Sequence, residues 1–497
     1  MSGQTSDYSG VTLSVSLEEN IKLFNSIFKK DSVLRLKRIS VRGVHEYDCA
    51  IFYMDGMVNV EMLNDSVVRP LLTVKNERRE DSLIGYISKQ VLFASETKKT
   101  SDVPDILRSV LYGDTLLLVD GCAEALTINT KGWRTRGISE PEDERILQGP
   151  REGFDEAALL NLAMIRRKLL TPDLCTEMIR VGRRSDTLVY ICYLDSLVDR
   201  QTLEEVKRRI QCLDMDGILD SNYIIEQIRD YPGSLFKTSG STERPDIVAA
   251  RLLEGRIAIV VDGTPVVVTV PYLFSENFQS DEDYYLNYIV SSVGRALRYI
   301  CFFISISIPA IFVGAITFHK ELLPTSLALT VTQLRGGVPF PAFAECILLI
   351  FVFEILKETG VRMPQSLGHA LSIVGGLVVG QAAVEARIIS APMLIVVALS
   401  GISGLMIPRL KGAVFYLRFI FVCLSALFGL YGYIAGMALV LIHILDISSF
   451  GTSYTVSLSH ADRQSLKDTV LRAPWRRMIK RPLFNRNIIR IGVKDRK

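Results

Sequence analysis

The chain has 497 residues, 48% hydrophobic and 22% charged, with a mean hydropathy of +0.26 and a formal net charge of +3. That mixture is too charged for a pure multi-span permease and too apolar for one soluble globule, and it excludes a small secreted module and a disordered regulator. So small a net charge gives no case for a nucleic-acid partner.

The charges are unevenly placed. Residues 298–450 hold 15 Asp, Glu, Lys and Arg in 153 positions, about 10%, against about 28% elsewhere, near the ~25% of soluble domains. The average therefore combines a soluble part and a membrane part. Residues 1–16 read as a flexible N-terminus. With no apolar signal segment there, the soluble part is expected to stay cytoplasmic. Eight cysteines with no CxxC spacing fit reduced, buried thiols.

Self-comparison reveals a duplication. Residues 51–58 align with 191–198, 104–106 with 245–247 and 118–121 with 260–263, at offsets of 140, 141 and 142. Two α+β modules follow, 17–145 and 172–290. In each, a strand (50–54; 188–194) ends in Asp and a small residue, and a helix follows (60–72; 203–212). A short helix opened by Pro-Asp ends near Gly113 or Gly255. Two strands then pair across an Asp-Gly turn, 115–119 with 123–128 and 256–261 with 265–270. The turn aspartates read as turn chemistry rather than as functional carboxylates. Strands and helices do not alternate strictly, so the class is α+β and not a doubly wound nucleotide fold.

Residues 146–171 read as a linker helix. Gly149-Pro150 breaks the chain, Leu159, Leu160, Leu162, Ala163, Ile165 and Leu169 make an apolar stripe, and Arg166, Arg167 and Lys168 suit the helix C-terminus. The helix is expected to dock one module on the other or on a neighbouring chain. Arg151 and Glu152 are read as helix-start residues, with ligand contact as the alternative. Arg166, Arg167, Arg244 and Asp246 complete the candidate interface residues.

Residues 291–450 read as an all-α transmembrane bundle of about four to six spans, and 451–497 as a basic tail with 12 Lys and Arg against three Asp. The stretch 299–318 is uncharged and follows Arg295 and Arg298, which point its start inward. Residues 322–334 are short enough to be re-entrant or interfacial. Then come 342–356 with Glu345 and Glu354, 367–386, 389–407, and 413–445 with Arg418 and His443. The basic tail favours a cytoplasmic C-terminus, hence an even number of crossings. Six crossings require 413–445 to fold back near Gly429, Gly432 and Gly436.

Residues 368–386 are rich in Gly, Ala and Ser, with Gly376 and Gly380 at the spacing that lets helices approach closely. Two readings stand: a packed helix in the middle of the bundle, or a pore-lining helix in an oligomer. In the second, Ser372, Gly376, Gly380 and Ala383 share one face, with Gln381 and Glu385 near the end. These last two, with Glu345, Glu354, Arg418 and His443, are costly against lipid and must face protein or water. Arg418 either lines an ion path or neutralises a membrane carboxylate; His443 reads as a structural hydrogen bond. No Walker A, GxSxG or HExxH pattern and no paired metal-ligand spacing occurs. No enzyme activity, catalytic residue, metal or cofactor is expected.

Several blocks resemble the GerA family of spore germination proteins, A-type subunits. They include residues 149–154 with 161–167, 242–246, 253–265 and 279–285. In the membrane half they include 339–341, 353–358, 380–386 and 449–451. The resemblance implies a subunit of a nutrient germinant receptor in the inner membrane of an endospore. It implies partners too: a permease-like B subunit that binds the nutrient, a lipoprotein C subunit, and further copies of the chain in a ring that conducts ions. An accessory channel-like relative, the stage V sporulation protein AF type, and a non-conducting scaffold are the alternatives. Ile350, His369 and Arg387, and Thr452-Ser453-Tyr454-Thr455 after Ser-Phe-Gly, depart from the family pattern and bear on ion selectivity.

Overall fold

The computed structural model describes residues 8, 10–42, 46–73, 83–94, 96–132, 141, 144, 146, 148–362, 380–455 and 468–478. Strands β1 (Leu34–Val41), β2 (Tyr47–Met54), β3 (Thr97–Thr100), β4 (Thr115–Val119) and β5 (Ala125–Ile128) form an antiparallel sheet in the order β1-β2-β4-β5-β3. Strands β6 (Leu174–Val181), β7 (Thr187–Leu194), β8 (Gly240–Thr242), β9 (Ile257–Val261) and β10 (Val267–Val270) repeat it as β6-β7-β9-β10-β8. The two halves of the charge-rich part thus share a whole topology, not only three sequence blocks.

The helices named in these units are α1 (Leu17–Ile27), α2 (Val103–Leu111), α3 (Ala158–Lys168), α4 (Arg200–Gln211), α5 (Ser221–Ile228) and α6 (Pro245–Leu253). Helices cover both faces of each sheet, which is why the inner strands are apolar without alternation. Along β4, Leu116 and Leu118 share a core with α1 and α2, while Leu117 joins Leu63, Val67 and Ile87 on the other face. In the second unit Ala258 and Val260 pack with α3 and α6, and Ile257, Ile259 and Val261 with α4 and α5. Edge strand β1 has no such pattern. It exposes Arg35 to Arg38 in a row, and its eight-residue pairing with β2 makes it a strand.

Helix α3 holds in the second unit the place that α1 holds in the first. Leu17 donates its N–H to Asp120 Oδ1 at 3.0 Å, and Ala158 donates to Asp262 Oδ1 at 3.0 Å. Asn20 Oδ1 accepts from Ser14 N at 2.9 Å and Asn161 Oδ1 from Asp155 N at 2.7 Å, and each Asn returns a bond to the same residue's carbonyl. The helix read as a linker is the first helix of the second unit, and two of the turn aspartates are also helix caps. Helix α3 also touches the first unit: Ala163 enters that unit's core and Arg166 pairs with Asp31.

Helices α7 (Tyr288–Thr317), α8 (Thr325–Arg335), α9 (Ala342–Arg362), α10 (Gly380–Glu385), α11 (Ala391–Leu405) and α12 (Lys411–Asp446) make the rest. Among the described residues, α7 and the stretch Pro408–Asp446 are long and apolar enough to cross a membrane; α11 is apolar but shorter. Helix α12 is a hairpin. At Gly429 φ is +62° and ψ −149°, a conformation closed to nearly every side chain. Beyond it Gly436 lies against Phe421 and Leu424, and the rings of Phe421 and Tyr433 are 5.7 Å apart. In a straight helix residues 421 and 436 would be about 22 Å apart. The turn packs on Phe318 and His319 at the end of α7, where a Cβ on Gly429 would come within 2.7 Å of the His319 ring. Both ends of α12 therefore lie beside the second unit. Arg409 bonds Asp281, and Ser449 accepts from the Tyr272 N–H and donates to the Thr238 carbonyl.

Candidate functional site

Two polar assemblies stand out: a joint where the second unit meets α7, and a cluster inside the helical bundle. The joint is built on residues 279–285. Ser280 and Asp283 cap a short 3-10 turn, which fixes the Asp283 carboxylate over the first turns of α7. Arg295 Nε donates to Asp283 Oδ2 at 2.7 Å and Arg298 Nη2 to Oδ1 at 2.8 Å. Arg295 is fully buried and also binds Asp468 Oδ1 at 2.8 Å. From the C-terminal segment, Arg472 donates to the carbonyls of Asp283 and Leu286 at 2.6 and 2.8 Å. Beside it, Glu276 accepts from Arg256 at 2.5 Å and Arg251 at 2.6 Å. Burial works against ionising Asp283, but the Arg298 and Arg295 guanidiniums outweigh it and hold the carboxyl below its ordinary range. Glu276 is held down in the same way, Arg251 and Arg256 offsetting its burial. A buried network of paired carboxylates and guanidiniums locks its elements together, because losing one member strands the others.

The candidate interface residues fall around this joint and the junction of the two units. Arg166 reaches Asp31 Oδ2 at 2.6 Å, both side chains buried. Arg167 and Lys168 pair with Glu152 at 3.3 and 3.0 Å. Glu152 thus holds the last turn of α3, where a helix-start role had been expected. Arg151 is exposed. Arg244, fully buried before α6, binds Asp246 Oδ2 at 2.8 Å and the Pro150 carbonyl at 3.0 Å, and Asp246 also accepts from the Tyr285 hydroxyl.

Inside the bundle Arg418 of α12 is buried among main-chain acceptors. Its Nε donates to the Ser305 carbonyl at 3.1 Å, and its Nη2 to Ser305 Oγ at 2.7 Å and to the Ser400 carbonyl at 3.2 Å. The two serines also bond each other's carbonyls, at 2.8 and 2.7 Å, tying α7 to α11. A Cβ on Gly404 would stand 2.9 Å from Ser305 Oγ and 3.1 Å from Arg418 Nη2, so that glycine makes room for the knot. Among the described residues no carboxylate lies within ion-pair distance of Arg418. The carboxylates take other partners. Glu345 accepts from the Ser390 N–H at 2.6 Å at the start of α11 and stands 3.5 Å from Arg335, while Glu354 pairs with Lys357. Glu354, Lys357, Lys411 and Arg418 border a cavity of about 140 Å³. His443 shares a hydrogen bond of 3.0 Å with Ser234 of the second unit.

Of the candidate pore residues, Ser372 and Gly376 lie outside the described residues. Gly380 approaches Leu394 and Ala383 packs on the bundle core, whereas Gln381 and Glu385 are exposed and bonded to each other at 2.9 Å. Within the single chain, then, Gly380 and Ala383 are half-buried against α11 and the bundle core, while Ala382 and the polar pair look out.

The sequence reading missed Asp283, Arg256, Glu276, Arg409, Ser305 and Ser400 as site residues, and took Arg295 and Arg298 only as flanking charges. Serines inside uncharged stretches were the available signal for the knot. The joint gave none, because charges just before a membrane helix are common.

The family profile described as Bacillus/Clostridium GerA spore germination protein matches residues 22–484. Spore germination protein KA of Bacillus subtilis (strain 168) is 38% identical over 475 residues, 95% of this chain and 87% of its own length. The uncharacterized membrane protein YfkQ of the same strain is 39% identical over 437 residues, covering 87% and 84%. Among solved structures, the N-terminal domain of the A subunit of the Bacillus megaterium spore germinant receptor GerK3 is 31% identical, with a TM-score of 0.43 over 53% of this chain and 98% of that one. With its profile matched across most of its length, the chain belongs to the GerA family of spore germination proteins.

Proposed function

We propose that this chain is the A-type subunit of a nutrient germinant receptor in the spore inner membrane. In this reading it forms a homo-oligomeric ring that passes cations once a permease-like B subunit binds nutrient, with a lipoprotein C subunit completing the complex. Family membership carries the receptor part of the reading. For the ring, the supporting observation is the Gln381–Glu385 pair, exposed on the outside of a single bundle. Such groups are costly against lipid and call for water or a second copy.

Described chain ends support six crossings. Glu358, near the end of α9, pairs with Lys411 at the end of the bundle that meets the second unit, while Gly380 lies by the start of α11 at the other end. With the two limbs of α12, these positions favour a topology with the soluble units and the tail on one side, which we take as the spore core. Nutrient binding on the partner favours the open ring through contacts that differ between the two states. The joint at Asp283 carries the shift from the second unit into α7, and the Arg418 knot passes it to α11 and α12.

The test is cation release from liposomes holding the purified complex. Nutrient-dependent flux is expected, and Glu385→Lys or Gly380→Leu should change it while leaving assembly intact. Normal release from correctly assembled Glu385→Lys rejects the pore assignment. A tight complex with no flux under any condition makes the chain a scaffold.

A further inference from the structure

A cleft of about 690 Å³ opens between the second unit and the adjoining ends of α11 and α12. Lys237, Ser239, Arg251, Arg409 and Lys411 are among its lining residues. In all, five cationic side chains face it, with Arg298 the fifth, against the carboxylates Glu144, Glu243 and Asp281.

The cations are not equally committed. Arg251 is taken by Glu276 at 2.6 Å, Arg298 by Asp283 at 2.8 Å, and Arg409 by Asp281 at 3.0 Å and Glu144 at 3.5 Å. Lys411 has a long pair of 3.7 Å with Glu358. Lys237 makes no hydrogen bond or ion pair among the described residues. Its side chain is solvent-exposed, and packing around it, then the neighbouring Arg409 and Arg229, bias its ammonium below the ordinary lysine value. Two residues on, Ser239 is buried, 2% exposed, and its hydroxyl finds no partner among the described residues. An unsatisfied buried hydroxyl costs about 1–3 kcal/mol; because Ser239 lines the cleft, rotation about its Cα–Cβ bond would turn the hydroxyl toward a polar ligand there and remove that cost. Met406 and Pro408 form part of the wall, which sets the cleft at the end of the apolar helices, where a lipid headgroup layer begins.

We propose that this cleft binds a phosphate-bearing anion, held by Lys237 and Lys411 as charge contacts and by the Ser239 hydroxyl as a donor. A tetrahedral oxyanion suits one hydroxyl donor and two ammonium groups, because its oxygens accept from several directions. Both a phospholipid headgroup and free phosphate have this chemistry. The inference does not depend on ion conduction.

The full-length protein, purified in detergent and stripped of lipid, is titrated separately with phosphatidylglycerol, with diacylglycerol as the phosphate-free control, and with inorganic phosphate. Binding is read by native mass spectrometry and by phosphorus NMR line width. One phosphate-bearing ligand per chain is expected, weakened about tenfold by Lys237→Gln and by Ser239→Ala and retained by Lys237→Arg. Binding of phosphatidylglycerol without inorganic phosphate assigns the site to a lipid headgroup; competition between the two assigns it to phosphate itself. Binding of neither, or equal affinity in wild type and both weakened variants, overturns the proposal. Each variant is first matched to wild type in thermal midpoint. If Lys237→Gln fails to fold, Ser239→Ala carries the same test.

Discussion

Asp262 Oδ1 accepts a hydrogen bond from the Ala158 N–H at 3.0 Å, across 104 residues of chain. Asp120 does the same for Leu17 in the first unit. Each aspartate precedes a glycine with positive φ, +79° at Gly121 and +91° at Gly263. The carboxylate meets an N–H that no helix carbonyl can reach, at the positive end of the helix dipole. One residue thus closes a hairpin and starts the first helix of its unit.

Asp262→Ala should therefore destabilise the second unit by about 1 kcal/mol, the usual loss for a helix cap. Asp262→Asn should lose less, because an amide oxygen still accepts. Thermal midpoints of the detergent-purified variants check the order; an unchanged midpoint for Asp262→Ala would mean that the cap contributes nothing.

Gly429→Ala should open or strain the α12 hairpin. The backbone conformation alone costs a residue with a side chain about 1–3 kcal/mol, and the new Cβ meets the His319 ring at 2.7 Å. A second change, His319→Ala, should recover the clash and leave the backbone cost. Equal midpoints for the single and double variants would show that His319 does not restrict the turn.

Arg418→Met should be tolerated better than Ser305→Ala. Without Arg418, the hydroxyls of Ser305 and Ser400 still bond each other's carbonyls, and an apolar side chain replaces a buried charge, a change that is often neutral. Without the Ser305 hydroxyl, a buried guanidinium loses its 2.7 Å acceptor, at a cost of about 1.5–3 kcal/mol. Purified yield and thermal midpoint of the two variants rank them; the reverse order refutes this account of the knot.

The joint should withstand mild acid and fail in strong acid. Asp283 and Glu276 both have folded pKa values below their ordinary 3.8 and 4.5. Groups with depressed values stabilise fully above the unfolded pKa, and that contribution is lost as pH falls through the folded value. Hydrogen exchange over residues 281–298 should stay slow down to about pH 5 and speed up below about pH 4. Loosening between pH 7 and 5 would point to other groups.

The inner strands and their hairpins were legible in the sequence because apolar runs bounded by Asp-Gly have few other uses. The second unit's strands, 188–194 and 256–261, were placed within a residue or so of β7 and β9. β1 was not, since four exposed residues in a row carry no period. The hairpin at Gly429 was readable as one option, because a 33-residue apolar stretch is too long for one crossing. The candidate carboxylates and Arg418 were found, but not their partners.

By itself the sequence determined the division into a charge-rich half and an apolar half, the duplication, and the family. These depend on composition, periodicity and order along the chain, all of which are local or additive. Only the tertiary structure decided that α3 opens the second unit, that Glu152 holds the end of that helix, that Arg418 binds serines and carbonyls, and that Asp283, Arg295 and Asp468 form one joint. Those partners are far apart in the chain, and a charge or hydroxyl finds its mate by distance and direction in space, which no spacing along the chain encodes.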